Sequence, residues 1–186
     1  MKDELTTIIQ AAQHGDETAF RKLIERYYHY VHRVTYRVLL NNDAARDAAQ
    51  ETFIKLWRRI GSFNTAMNFT TWLYRITSNT ALDAHRAQTR RAQAEHTSAT
   101  PDRAVDTVER ETEDREFGEI IRTLLQYLPP AQRLIFALRD VEDLSIADVA
   151  SVTGMSTASI KTNLSFARRK VREHLSHIYS TQGTER

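Results

Sequence analysis

Four side chains set the chemical question. Lys161, Ser165, Arg168 and Arg172 recur at a spacing that puts them on one stripe of a helix, with Thr157, Thr162 and Arg169 beside it. Cations and hydroxyls in such a row bond phosphate oxygens and base edges. Ile160, Leu164, Ala167, Val171, Leu175 and Ile178 fall on another stripe, the rhythm of a helix packed on a core. Two further groupings invite other chemistry. His29 with His32, and His174 with His177, stand three residues apart and could each offer a metal two ligands, but no third ligand is evident. No phosphate loop and no nucleophile–base constellation is present, which speaks against an enzyme, and no cofactor is implied.

The cationic helix needs something to aim it. Residues 144–153, LSIADVASVT, read as a short helix. Ser145 can cap it, with Asp148 three residues on and Leu144 positioned to staple against Val149. Gly154 gives the backbone freedom for a sharp turn, and Ser156 can cap the helix that follows. Short helix, glycine turn and basic amphipathic helix make the pattern of a helix-turn-helix, whose second helix enters the major groove.

The whole chain bounds the rest. Its 186 residues suffice for one large or two small domains. Five glycines and three prolines are few, which favours helices, and the lack of cysteine excludes disulfides and thiolate metal sites. No apolar run approaches the ~20 residues needed to span a bilayer. The N-terminus is too acidic for a signal peptide, so a cytoplasmic protein is expected. Net charge is only +2, so its distribution carries the information.

Helices are expected over 3–14, 19–40, 44–60 and 69–86, with GSFNTAMN (61–68) as a loop. The apolar rhythm then fails. Residues 92–116 hold eight acidic side chains against three arginines, the composition of an acidic, weakly structured linker. Helical rhythm resumes at 117–128, with Ile120 among the inward positions, and at 131–140 after Pro129-Pro130. The expected fold is all-α: residues 1–91 and 117–186 as two small helical domains on a flexible acidic linker, 92–116.

Certain stretches carry a resemblance. Residues 43–57, DAARDAAQETFIKLW, resemble the region-two signature of extracytoplasmic-function sigma factors of bacterial RNA polymerase. Residues 69–76, FTTWLYRI, with Asn79, Leu82, Asp83 and Arg86, resemble the next segment of that domain. Leu128-Pro129, Gln132-Arg133, Leu138-Arg139-Asp140 and the helix-turn-helix resemble region four. The linker is too short for the extra domain of primary sigma factors.

The resemblance implies a non-enzymatic subunit that binds core RNA polymerase and directs it to promoters. It implies that Asp47, Gln50, Glu51 and Ile54 dock on the arginine-bearing clamp helices of the largest subunit, with region four at the flap of the second-largest. It assigns Phe63, Arg75, Asn79 and Arg86 to the minus-ten element, Phe63 and Asn79 holding an extruded base and the arginines phosphates. Thr157, Lys161, Thr162, Ser165, Phe166, Arg168, Arg169 and Arg172 would meet the minus-thirty-five element. Asn163, Ser165 and Phe166 depart from the arginine or histidine many relatives carry, so the promoter sequence does not transfer. The family further implies an anti-sigma factor, often membrane-anchored, wedged between the domains; the acidity of the linker suggests a path through the RNA exit channel, mimicking RNA's charge. The alternative is a helix-turn-helix regulator independent of polymerase, which would leave the Asp47–Trp57 face without a task.

Overall fold

A computed structural model describes residues 2–94 and 120–182, with side chains for 4–94 and 120–176; the expected linker lies largely outside the described residues. Helix α1 (Lys2–Gln13) ends in a turn at Gly15, φ +89°. Helix α2 (Glu17–Leu39) opens on Asp16, whose carboxylate accepts from the Thr18 and Ala19 amides at 2.8 and 3.0 Å. Helix α3 (Asn42–Arg59) is capped by Asn41, which accepts from the Ala44 amide at 2.8 Å, and runs into a 3₁₀ turn, Ile60–Ser62. Helix α4 (Phe69–Ala94) starts where Asn68 accepts from the Thr71 amide, and it extends eight residues past the Arg86 expected from periodicity.

These helices pack around Leu23, Val31, Leu56 and Leu73, all fully buried, with Phe20, Phe53, Phe63 and Phe69 closing the core. Each such side chain contributes about 1.5–3 kcal/mol by leaving water. Gln13 pins the 61–68 loop by donating to the Ile60 and Phe63 carbonyls at 3.0 and 2.7 Å.

The C-terminal module begins with α5 (described over 120–125), in which Ile120 is 38% exposed rather than inward, while Leu124 and Leu125 are buried. Helix α6 (Pro130–Phe136) follows Pro129, with Pro130 in its first turn, and continues as one π-helical turn, Ala137–Val141. Periodicity does not reveal that turn. It arises because the Glu142 amide reaches back to the Ala137 carbonyl at 2.9 Å, one residue further than an α-helix allows. Helix α7 (Ile146–Thr153) has the expected cap: Ser145 Oγ accepts from the Asp148 amide at 3.1 Å and donates to its carboxylate at 2.5 Å. Gly154, φ +71°, makes the turn into α8 (Thr157–Gln182).

The two modules do not stand apart as a loose pair. Val34, Val38, Tyr74 and Ala81 of the N-terminal bundle share one buried cluster with Leu134, Ile135, Leu138, Val149, Val152, Ile160 and Leu164. Leu40, held at φ +56° at the end of α2, packs against Leu124, Leu125 and Leu128. Polar groups cross the same boundary. Glu142, whose side chain is 5% exposed, accepts a two-pronged bond from Arg33 at 2.7 and 2.5 Å, a bond from Arg37, and the Tyr74 hydroxyl at 3.4 Å. Arg133 donates to the Val38 carbonyl at 2.9 Å and to the Leu125 and Leu128 carbonyls.

Burial by itself pushes the Glu142 carboxyl up; the Arg33 bond and the Arg33 and Arg37 charges outweigh it and hold it below the usual carboxylate range. Burial and then the Glu142 charge push the Tyr74 phenol up, so it stays a donor. Arg33, at the rim, is raised by its bond to Glu142; the deeper Arg37 is lowered because burial costs it more than Glu142 returns.

Candidate polymerase and promoter interfaces

Helix α3 presents the first face. Asp47 and Gln50 are exposed, Glu51 is half-exposed beside Lys55 at 3.7 Å, and Ile54 is 40% exposed. Beside this acidic row runs an apolar groove of about 450 Å³ between α2 and α3, lined in part by Phe20, Ile24, Gln50, Phe53, Ile54 and Trp57. Trp57 leans on Phe20 with ring centroids 4.7 Å apart and remains 37% exposed. Carboxylates and an amide beside an oily slot suit a helical partner bearing arginines and apolar residues. Periodicity alone does not single out the α2 side of this groove, because Phe20 and Ile24 carry the same signal as any core position.

The second face is a cleft of about 450 Å³ between α3 and α4, lined by Lys55, Arg59, Trp72, Arg75, Ile76, Asn79, Thr80 and Asp83. Arg75 and Asn79 are exposed; Arg86 lies one to two turns further along and is paired with Asp83 at 3.0 Å. Phe63 does not join them. It is 6% exposed and lines a separate hollow of about 500 Å³ with Leu5, Ile9 and the 65–68 loop. Trp72 stands between the two: it touches the Phe63 ring, centroids 4.8 Å apart, and forms part of the Asn79 cleft. Lys55 and Arg59 are members of this cleft that sequence reasoning missed. They come from a different helix, so only tertiary packing brings them to Asn79.

The third face is the outer side of α8. Ile160, Leu164, Ala167 and Val171 are buried, as their stripe requires. Thr157, Lys161, Thr162, Ser165, Phe166, Arg168, Arg169 and Arg172 are exposed. A hollow of about 480 Å³ runs along Lys161, Ser165, Arg168, Arg169 and Arg172 beside Ile146 of α7. The cations are not equivalent. Arg168 is gripped by both oxygens of Asp140 at 2.9 and 2.6 Å, and that bond raises its pKa. Arg169 lies over the Phe166 ring at 5.2 Å, so these two side chains form one platform.

The histidine pairs have other employment. His32 shares a hydrogen bond with Asn42 at 3.0 Å, and His174 stacks on Tyr127 with centroids 3.7 Å apart. The His177 side chain lies outside the described residues. Among the described residues no three His, Asp or Glu side chains come together, and no helix is long and apolar enough to cross a membrane.

Known proteins share this arrangement. Residues 23–91 match the family model Sigma-70 region 2, and residues 118–171 match Sigma-70, region 4. The ECF RNA polymerase sigma-E factor of Haemophilus influenzae is 34% identical over 182 residues, covering 92% of this chain and 96% of that protein. The sigma-E factor of Escherichia coli K12 is 29% identical, covering 92% and 95%. Among solved structures, the sigma factor RpoE of Bartonella quintana in complex with the anti-sigma factor NepR aligns with a TM-score of 0.72 at 23% identity, covering 84% of this chain and 96% of that one. CnrH in complex with the cytosolic domain of CnrY aligns at 0.68 and 20% identity, covering 92% and 97%. Identities this low speak for the fold. A regulator with only the helix-turn-helix has no use for region two, so that alternative falls. The chain belongs to the extracytoplasmic-function sigma factors, non-enzymatic subunits that direct RNA polymerase to promoters through regions 2 and 4.

Proposed function

We propose the following division of labour within that function. The α3 row of Asp47, Gln50, Glu51 and Ile54, with the Phe20–Trp57 groove, docks on the clamp helices of the largest polymerase subunit, and the C-terminal module rests on the flap of the second-largest. The Asn79 cleft, with Lys55, Arg59 and Arg75, takes the minus-ten strand, and Arg86 meets a phosphate. An extruded base is held by the Asn79 amide or in the hollow that Phe63 closes, with Trp72 as the wall between. The α8 face reads the minus-thirty-five element: Lys161 and Arg172 on phosphates, Ser165, Thr162 and Thr157 on phosphates or base edges, and the Phe166–Arg169 platform against a thymine methyl or the backbone.

The observation that carries this reading is the split character of α8: Ile160, Leu164, Ala167 and Val171 are buried, while Lys161, Ser165, Arg168 and Arg172 are exposed. The units are residues 1–91, 92–116 and 117–186. An anti-sigma factor is the expected inhibitor, as the structural likeness to the NepR-bound relative supports. The chain acts in the cytoplasm at the nucleoid, held at the inner membrane if that inhibitor is anchored there. The acidic 92–116 stretch follows the path of exiting RNA, mimicking its charge.

Transcription in vitro with core polymerase on a genomic library, with start sites mapped, tests the assignment. Asp47→Ala/Glu51→Ala weakens capture of core polymerase without altering minus-thirty-five binding. Lys161→Ala/Arg172→Ala does the reverse. Asn79→Ala lowers strand opening about tenfold with duplex binding unchanged, the loss expected for one amide that reads an extruded base. Loss of both functions together in any of these folded variants refutes the division.

A further inference from the structure

The open stripe of α8 holds one cation that is not free. Lys161 and Arg172 are exposed and form no ion pair among the described residues. Arg169 is exposed, lies over Phe166 and reaches Glu173 only at 3.9 Å. Arg168 is held from outside its own helix: the Asp140 carboxylate, 28 positions earlier, accepts from its Nε at 2.9 Å and its Nη2 at 2.6 Å.

Stability does not explain this pair. The Arg168 side chain is 49% exposed, and an ion pair so open to water contributes little. Helix α8 is already fixed by Ile160, Leu164, Ala167 and Val171, all buried. Geometry explains it better. A guanidinium carries five N–H donors in a rigid fork. Asp140 takes the edge made by Nε and Nη2, which leaves the Nη1 edge to a second acceptor. Asp140 also lies in the π-helical turn, Ala137–Val141, the kind of insertion that re-aims side chains at functional positions.

We propose that Asp140 is a specificity-determining residue for minus-thirty-five reading: it holds the Arg168 guanidinium by one edge, so that the other edge meets a single DNA acceptor in register, and it withholds this cation from phosphates out of register. The proposal rests on the assignment of the α8 face to DNA made above.

An untethered arginine on this stripe bonds any phosphate within reach, which adds affinity for every sequence alike. A tethered one cannot follow. Out of register, a phosphate must displace Asp140 to take the whole fork, and one charge-assisted pair is merely exchanged for another. The carboxylate also places a negative charge beside the cationic stripe, where it repels a phosphate that comes too near. Specificity is built from such repulsive elements as well as from attraction.

Holoenzyme assembled from core polymerase and the full chain is titrated at several salt concentrations with two duplexes. One is a promoter fragment from the mapped start sites; the other is the same fragment with its minus-thirty-five block scrambled. Asp140→Asn keeps the size of the side chain and removes its charge. This variant is expected to bind the scrambled duplex several-fold more tightly, to bind the intact promoter within about twofold of wild type, and to steepen the salt slope on the scrambled duplex by about one unit. Asp140→Glu, which keeps the charge, retains most of the discrimination. In the Arg168→Ala background Asp140→Asn changes nothing, since Asp140 acts through that guanidinium. Wild-type discrimination and salt slope in Asp140→Asn, or a change that persists in the Arg168→Ala background, overturns the proposal. Equal weakening on both duplexes, the signature of a purely structural tie, also overturns it. Lys161→Ala/Arg172→Ala separates the two levels of the argument. If that variant binds both duplexes as wild type does, the assignment of α8 fails and the proposal with it. If it binds the promoter more weakly while Asp140→Asn keeps full discrimination, only the role of Asp140 falls.

Discussion

Among the described residues two arginine–carboxylate pairs are two-pronged, and their settings are opposite. At Asp140 a two-pronged arginine bond joins neighbours within the C-terminal module, with Arg168 49% exposed and Asp140 19%. At Glu142, two residues on, a two-pronged arginine bond joins the two modules, with the carboxylate 5% exposed and a second arginine, 13% exposed, behind it. The chemistry is alike and the consequences differ. An ion pair in contact with water is worth 0–1 kcal/mol, and a DNA phosphate can take over its arginine at little cost. A carboxylate nearly sealed from water cannot lose its partners cheaply, since whatever remains is a buried, unpaired charge. The first pair holds Arg168 on the exposed face of α8. The second fixes how the two halves of the chain sit.

The largest test of that contrast is Glu142→Ala. It leaves Arg37, only 13% exposed, without a counter-charge and is expected to cost about 3 kcal/mol, seen as a lower denaturant midpoint or as early separation of the two modules. Replacing the whole group, Arg33→Met/Arg37→Met/Glu142→Leu, recovers most of that loss, because no orphan charge remains. A triple variant as unstable as the single one breaks the argument.

Next in size is Arg172→Ala, an exposed cation on the open stripe. It should reduce the salt dependence of minus-thirty-five binding by about one unit of slope, measured by titration at several salt concentrations. Arg168→Ala should cost less, since Asp140 already competes for that guanidinium.

Asp140→Ala is expected to change folding stability by under about 1 kcal/mol and to leave DNA binding equal or tighter, as it frees Arg168. At 1 M salt, where screening acts within about 3 Å, the Arg168 pair loses its influence, while the loss caused by Glu142→Ala persists in the denaturant midpoint.

The smallest effect is a pH response. Burial, and then the nearby Arg133 charge, hold the His85 pKa below its ordinary value. The folded chain therefore favours neutral His85. Its contribution is complete above about pH 6.5, the unperturbed value, and is lost as pH falls through the depressed one. A modest fall in the denaturant midpoint between pH 7.5 and 5.5, absent in His85→Gln, is the expected outcome.

How far the sequence reaches depends on the range of the interaction. Ser145 and Asp148, Gly154, and the two stripes of α8 are legible because each involves residues within a few positions of one another, where periodicity and capping operate. The exposed row of Asp47, Gln50 and Ile54 is legible for the same reason. Phe63 and Asn79, placed together by resemblance, line different hollows because Trp72 packs between them, a matter of ring volumes in three dimensions. Ile120 reads as inward by spacing yet faces outward, since spacing marks a stripe without locating its edge.

What the chain alone determined is its helices, their caps, the family and the cationic reading helix. All follow from local sterics, hydrogen bonding and the burial of one face. What only the tertiary structure decided is how the two modules pack on one another. Glu142 meets Arg33 across 109 positions, and Arg133 meets Val38 across 95. No periodic signal spans such a separation, because a charge on a helix surface looks the same whether it faces water or an arginine of the other module.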